Sequence, residues 1–180
     1  MSIRKGCFIS IDVETSGPIP GDYSMLSMGA CVIGRPDEGF YVELQPISDK
    51  AVADALKVTG FVLEDLAKTG ERPNSAMGRF RDWVQNVSAG DKPVFVGFNA
   101  GFDWSFVNWY FIHFVGENPF GFAPLDVKSY YMGLIGCEWE ETKSSRIRPE
   151  FQPAKPGDHN ALADARAQAE MFEKMRAAAR

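Results

Sequence analysis

The sequence predicts an α/β protein: a mixed five-stranded sheet flanked by helices. Three observations lead there. The first third of the chain reads as strands joined by short turns, which form an antiparallel meander. Strands then alternate with helices, which places helices in layers against the sheet. Finally, acidic residues sit on element faces that should be apolar, so the layers enclose something charged.

The first strand is Phe8-Ile-Ser-Ile-Asp-Val-Glu-Thr-Ser-Gly17, rich in β-branched residues and stopped by glycine. Side chains alternate along a strand, so Phe8, Ser10, Asp12 and Glu14 share one face and Ile9, Ile11 and Val13 take the other. Beyond the turn at 15–22, Tyr23–Ile33 and Phe40–Leu44 read as the second and third strands, separated by Gly34-Arg-Pro-Asp37. From Asp49 to Lys68 the pattern is helical in two short pieces broken at Gly60. Pro73–Val87 is a stronger helix with Met77, Phe80, Val84 and Val87 on one side. Then come a strand at Pro93–Phe98, a helix at Phe102–Phe114, a short strand at Phe122–Leu125 and a helix at Val127–Ile135. A last helix runs from near Asn160 to about Arg176. Between them, Glu138–Asp158 mixes acids, Lys143, Arg146, Arg148 and Lys155 with prolines and reads as a mobile surface loop.

A chain of 180 residues suits one domain, here 1–180, with a full core. Its 45% hydrophobic and 24% charged composition is that of a soluble protein. No apolar run reaches membrane-spanning length, and the first residues enter the first strand with no signal-peptide core, so the expected location is the cytoplasm. Cys7, Cys31 and Cys137 are odd in number and widely spaced, which suggests reduced thiols. With only His113 and His159 present, composition argues against a histidine-rich zinc centre. A net charge of −5 argues against coating nucleic acid by bulk attraction, though not against a nuclease whose acidic site is neutralised by metal.

The acids carry the chemistry. Asp12 and Glu14 lie side by side, and two carboxylates about 4 Å apart repel by about 4 kcal/mol at an effective dielectric near 20. On its own an Asp-x-Glu pair is an ordinary strand end. At 100° per residue, however, Asp103 lines up with Phe106, Val107, Tyr110 and Phe114, and Asp164 with Ala161, Ala167, Met171 and Met175. Neither stripe holds Lys or Arg. Asp103 is near enough to its helix start to act as a cap, whereas Asp164 lies several residues into its helix. His159 stands at a helix mouth after Pro156-Gly157-Asp158, placed to reach a water; His113, in an aromatic helix, reads as a packing residue. Inward acids without a thiolate cluster suit oxygen-ligated Mg²⁺ or Mn²⁺. A pair of such ions suits in-line displacement at phosphorus.

Asp12-Val-Glu-Thr-Ser-Gly17, Phe98-Asn-Ala-Gly-Phe-Asp103 and His159-Asn-Ala-Leu-Ala-Asp-Ala165 resemble, in order, the three motifs of the DEDDh 3′-to-5′ exonucleases. That group includes ribonuclease T, oligoribonuclease and the proofreading subunit of bacterial DNA polymerase III. The resemblance implies a ribonuclease H-like fold and two divalent ions held by Asp12, Glu14, Asp103 and Asp164. It also implies His159 as general base beside the catalytic Glu14, and release of nucleoside 5′-monophosphates from single-stranded RNA or DNA 3′ ends. Phe98 stands where many members carry His. Thr15, Met28 and Phe102 are the candidates for contact with the terminal nucleotide, Met28 and Phe102 by stacking. Arg146, Arg148 and Lys155 are candidates for the phosphate backbone. Some relatives are homodimers, and Trp104 and Trp109 could serve as interface or core. Three rival readings stay open: a catalytically inactive nucleic-acid-binding module of this fold, a small-nucleotide phosphodiesterase or phosphatase, and a plain α/β interaction domain.

Overall fold

The computed structural model describes residues 5–179; the expected direct entry of residues 1–4 into the first strand lies outside them. Five strands form one sheet: β1 (Gly6–Thr15), β2 (Met25–Val32), β3 (Arg35–Glu43), β4 (Lys92–Gly97) and β5 (Leu125–Asp126), in the spatial order β3-β2-β1-β4-β5. β1 pairs antiparallel with β2, and β2 with β3, while β4 runs parallel to both β1 and β5. The meander and the mixed sheet expected from the sequence are both present. The helices are α1 (Ala53–Thr59), α2 (Leu63–Thr69), α3 (Pro73–Ser88), α4 (Ala100–Phe114), α5 (Val127–Ile135) and α6 (Ala161–Ala178). Gly60 ends α1 in a left-handed conformation, the break expected between the two short helices.

The alternation in β1 sorts the two layers. Ile9, Ile11 and Val13 face a core that includes Phe80 of α3 and Phe106, Tyr110 and Phe111 of α4. Tyr110 is buried there without an orphaned hydroxyl, because its oxygen accepts a hydrogen bond from the Met25 N–H at 2.8 Å. Trp104 packs its ring edge-on against Phe95 at 5.2 Å and belongs to this core rather than to a free surface. Trp109 is partly buried against the same core. The other face carries Phe8, Ser10, Asp12 and Glu14 and is covered by α5 and α6, with Val96, Val127, Tyr131, Met171 and Phe172 in a second core.

Two expectations need correction. The Phe122–Leu125 strand shrinks to Leu125–Asp126, and Phe122 is fully exposed: two residues suffice to pair with β4, and the chain turns straight into α5. The segment 138–158 is no loose loop. It makes three short 3₁₀ turns at Trp139–Thr142, Ser144–Arg146 and Pro149–Phe151 and buries Thr142, Ile147 and Phe151. Burying side chains such as Ile147 and Phe151 contributes about 1.5–3 kcal/mol each. Gln152 ties the segment to itself through donors to the Ser144 and Ile147 carbonyls, and Lys174 of α6 donates to the Gln152 carbonyl at 2.6 Å. His113 packs as expected within its aromatic helix, its ring stacked on Trp109 at 4.5 Å on the exposed side of α4.

Gly29 explains how α6 comes so close to the sheet. It pairs with Asp12 in the β1–β2 ladder and so lies on the acidic face. A Cβ there would run into the Ala161 and Leu162 backbone at the start of α6. Because backbone cannot rotate aside, Gly29→Ala is expected to destabilise the fold by about 1–3 kcal/mol and to displace the Asp164 end of α6. A chemical-denaturation midpoint equal to that of the parent would contradict the close approach.

Candidate active site

The site forms where the parallel strands end. β1 delivers Asp12 and Glu14 at its C-terminal half, and the adjacent β4 ends at Gly97 and turns into α4. Asn99 makes that turn in a left-handed conformation (φ 65°), which Asn tolerates better than most residues. Asp103 therefore enters in the first turn of α4, and its Oδ1 accepts a hydrogen bond from the Val13 N–H, between the two β1 acids, at 3.1 Å. Asp126, at the end of β5, braces the same corner. Its Oδ2 accepts from the Ala100 N–H at 2.8 Å, and its Oδ1 caps α5 by accepting from the Ser129 N–H and hydroxyl, both at 2.7 Å.

α6 supplies the rest. Asn160 caps it, accepting from the Leu162 and Ala163 N–H groups. Asp164 sits in the first turn, with Oδ1 accepting from the Asp158 N–H at 2.9 Å. It is only partly buried, at the rim of the apolar stripe and facing the pocket, where the sequence placed it in line with core residues. Gly157 lies against this carboxylate, in space a Cβ would fill. His159 is exposed and left-handed (φ 65°), and its imidazole, Glu14 and Asp164 each place one atom in a cluster spanning no more than 4.8 Å. A cavity of about 490 Å³ opens over Asp12, Phe98, Gly157, His159 and Asp164. Asp103 and Asp164 both occupy helix N-terminal turns, where exposed N–H groups favour negative charge.

That help is incomplete. Burial raises the Asp12 carboxyl well above its ordinary range, reinforced by the neighbouring charges of Asp103, Asp164 and Glu14. Burial first and Asp164 second push Glu14 up to about 7. Asp103 is raised to about 7, chiefly by burial, and Asp164 is raised too, again chiefly by burial. Among the described residues none of these four acids is in an ion pair with Lys or Arg. Four oxygen donors, crowded and without a counter-charge, are the donor set that a hard divalent cation fits.

The remaining sequence candidates divide. Phe102 lies one residue from Asp103, is about one-third exposed (36%) and leans on the Phe106 ring at 5.4 Å, so its free face is available. Met28 is a correction: it pairs with Val13, is fully buried in the opposite core and cannot stack on a nucleotide. The Thr15 hydroxyl is turned into its own turn, donating to the Gly17 carbonyl at 2.9 Å. Arg146 donates to the Glu140 carbonyl and Arg148 is exposed on the outer turns, neither lining this cavity. Lys155 borders a separate cavity with Arg166. Sequence reasoning missed Asp126 and Gln168. Gln168 joins the site through donation from Nε2 to Asp12 Oδ1 at 2.6 Å.

The sheet thus ends in a pocket lined by Asp12 and Asp164, with the His159 imidazole at its mouth. The RNase T family, described as an exonuclease, matches residues 9–172, and the chain belongs to that family. It is a 3′-to-5′ exonuclease. A relative from Escherichia coli, the 3′-5′ DNA exonuclease Cap18, is 51% identical over 173 residues, covering 96% of this chain and 92% of that protein. Among solved structures, the nuclease domain of 3′hExo, a DEDDh family member bound to rAMP, superimposes with a TM-score of 0.75 at 14% identity. That match covers 94% of this chain and 91% of the domain. The zinc-bound E. coli ExoI–ssDNA complex gives 0.70 at 18% identity, over 97% of this chain and 41% of ExoI. Both structures speak to the fold. No helix among the described residues is long and apolar enough to cross a membrane.

The raised acids set the sign of a pH effect. Glu14 and Asp103 ordinarily ionise near 4.5 and 3.8 but reach about 7 in the folded protein. The folded state thus keeps protons that the unfolded chain has already lost. The resulting stability is fully present below the ordinary values and is lost as pH rises through about 7. With metal chelated, the melting temperature is expected to fall by several degrees between about pH 5.5 and 8.5. A melting temperature that stays flat or rises over that range would contradict the crowding of these acids.

Proposed function

We propose that this exonuclease removes nucleotides one at a time from the 3′ end of single-stranded DNA, releasing nucleoside 5′-monophosphates. The observation that carries the chemistry is the convergence of Asp12, Glu14, Asp103 and Asp164 with the His159 imidazole beside Glu14 and Asp164. The preference for DNA rests on the 51% identity to a DNA exonuclease over nearly the whole chain. One domain, 1–180, would carry the activity.

The four carboxylates would hold a pair of Mg²⁺ or Mn²⁺ ions. When bound, such ions offset charge on the scissile phosphate and make water a stronger nucleophile at neutral pH. The protein's own groups do the rest. Val13 N–H and Asp158 N–H fix the Asp103 and Asp164 carboxylates, so little reorganisation accompanies reaction. His159, exposed at the mouth and free to meet solvent, accepts the proton from the attacking water. Phe102 presents a ring face on which the terminal base can stack whatever its identity.

The test is digestion of 5′-labelled single-stranded DNA and RNA of the same sequence with Mg²⁺. The expected result is a ladder shortening by single nucleotides from the 3′ end, faster on DNA. His159→Ala is expected to lower kcat by about 10²–10⁴-fold with KM little changed. A variant as fast as the parent would remove His159 from the role of base, and equal rates on RNA would remove the preference for DNA.

A further inference from the structure

Gln168 lies one helical turn beyond Asp164 on α6. Its amide is engaged at both ends: Nε2 donates to Asp12 Oδ1 at 2.6 Å, and Oε1 accepts from the Phe98 N–H at 2.7 Å. One side chain thereby joins the β1 acid, the end of β4 and the helix that bears the last acid. It borders the same cavity as Asp12 and Asp164.

We propose that Gln168 is a positioning residue that presets the Asp12 carboxylate for a divalent cation; this rests on the metal-dependent reading above. The residue type is informative. A carboxylate surrounded by three other acids needs a donor to fix its rotamer, yet a Lys or Arg at this point would occupy the place of the cation and lower the pocket's negative potential. A neutral amide supplies the hydrogen bond without the charge. With Oδ1 engaged, Oδ2 of Asp12 remains for coordination. The tie to the Phe98 N–H keeps the amide from flipping, since only Oε1 can accept that bond and only Nε2 can donate to Asp12. It also gives Phe98 a part that does not depend on its side chain. The backbone N–H does the work, so a ring is tolerated where many relatives carry His.

Partners that orient a metal-binding side chain from behind typically change affinity by about 10–100-fold when removed. Gln168→Met keeps the length and packing of the side chain and removes both hydrogen bonds. Gln168→Asn stays polar but is one methylene too short to span Asp12 and Phe98. Calorimetric titration of Mn²⁺ into the metal-free proteins is expected to show the parent binding and both variants binding about 10–100-fold more weakly. Turnover of the variants should recover toward the parental kcat as Mn²⁺ is raised, which a residue serving only stability would not produce. Unchanged Mn²⁺ affinity in a folded variant would overturn the proposal. Should neither variant fold, a crystal of the parent grown with Mn²⁺ decides: Gln168 Nε2 within hydrogen-bond distance of Asp12 supports the role, and its displacement from Asp12 overturns it. A parent that binds no Mn²⁺ would instead bring down the metal reading itself.

Discussion

Crowding of unpaired carboxylates is the constraint to which this structure answers. Asp12, Glu14, Asp103 and Asp164 come from three separate elements, all four are raised above the ordinary carboxylate range, and burial is the leading cause each time. A chain selected for stability alone would not keep such a cluster, because apolar residues of similar size would serve the core better. The protein instead surrounds it with neutral donors: the Val13 and Asp158 N–H groups, the Gln168 amide and two helix N-terminal turns. These stabilise negative charge without cancelling it. The pocket stays acidic.

The rest of the fold serves this arrangement. Strand alternation separates an apolar face, packed on α3 and α4, from the face on which the acids stand. Parallel pairing of β1 with β4 brings the start of α4 beside the end of β1, and Asn99 turns the chain tightly enough for Asp103 to reach the Val13 N–H. Gly29 allows α6 to descend onto the sheet, while Gly157 leaves room for the Asp164 carboxylate. An added methyl group at either glycine would push on the end of α6 that bears Asp164.

Much of this could be read from the residues. The meander, the alternating helices and the inward course of Asp103 follow from periodicities of two and 3.6. The three motifs in order point to the exonuclease family that residues 9–172 match. What escaped had physical reasons. Met28 looked available for stacking because parity within one strand does not say which face is buried; the pairing with Val13 does. Segment 138–158 looked loose because its apolar residues, Ile147 and Phe151 among them, are too sparse to make a period, and only their burial against α5 and α6 shows that it is packed. Gln168 and Asp126 gave no signal, since an amide within a helix and an acid before one are ordinary until their partners are known.

Similarity to a DNA exonuclease at 51% identity places the chain among exonucleases, but the chemistry depends on the carboxylates themselves. The most direct measurement is anomalous diffraction at the manganese edge from crystals grown with Mn²⁺. Peaks are expected among the carboxylate oxygens of Asp12, Glu14, Asp103 and Asp164. An empty pocket at saturating Mn²⁺, or peaks only at surface acids elsewhere, would contradict it.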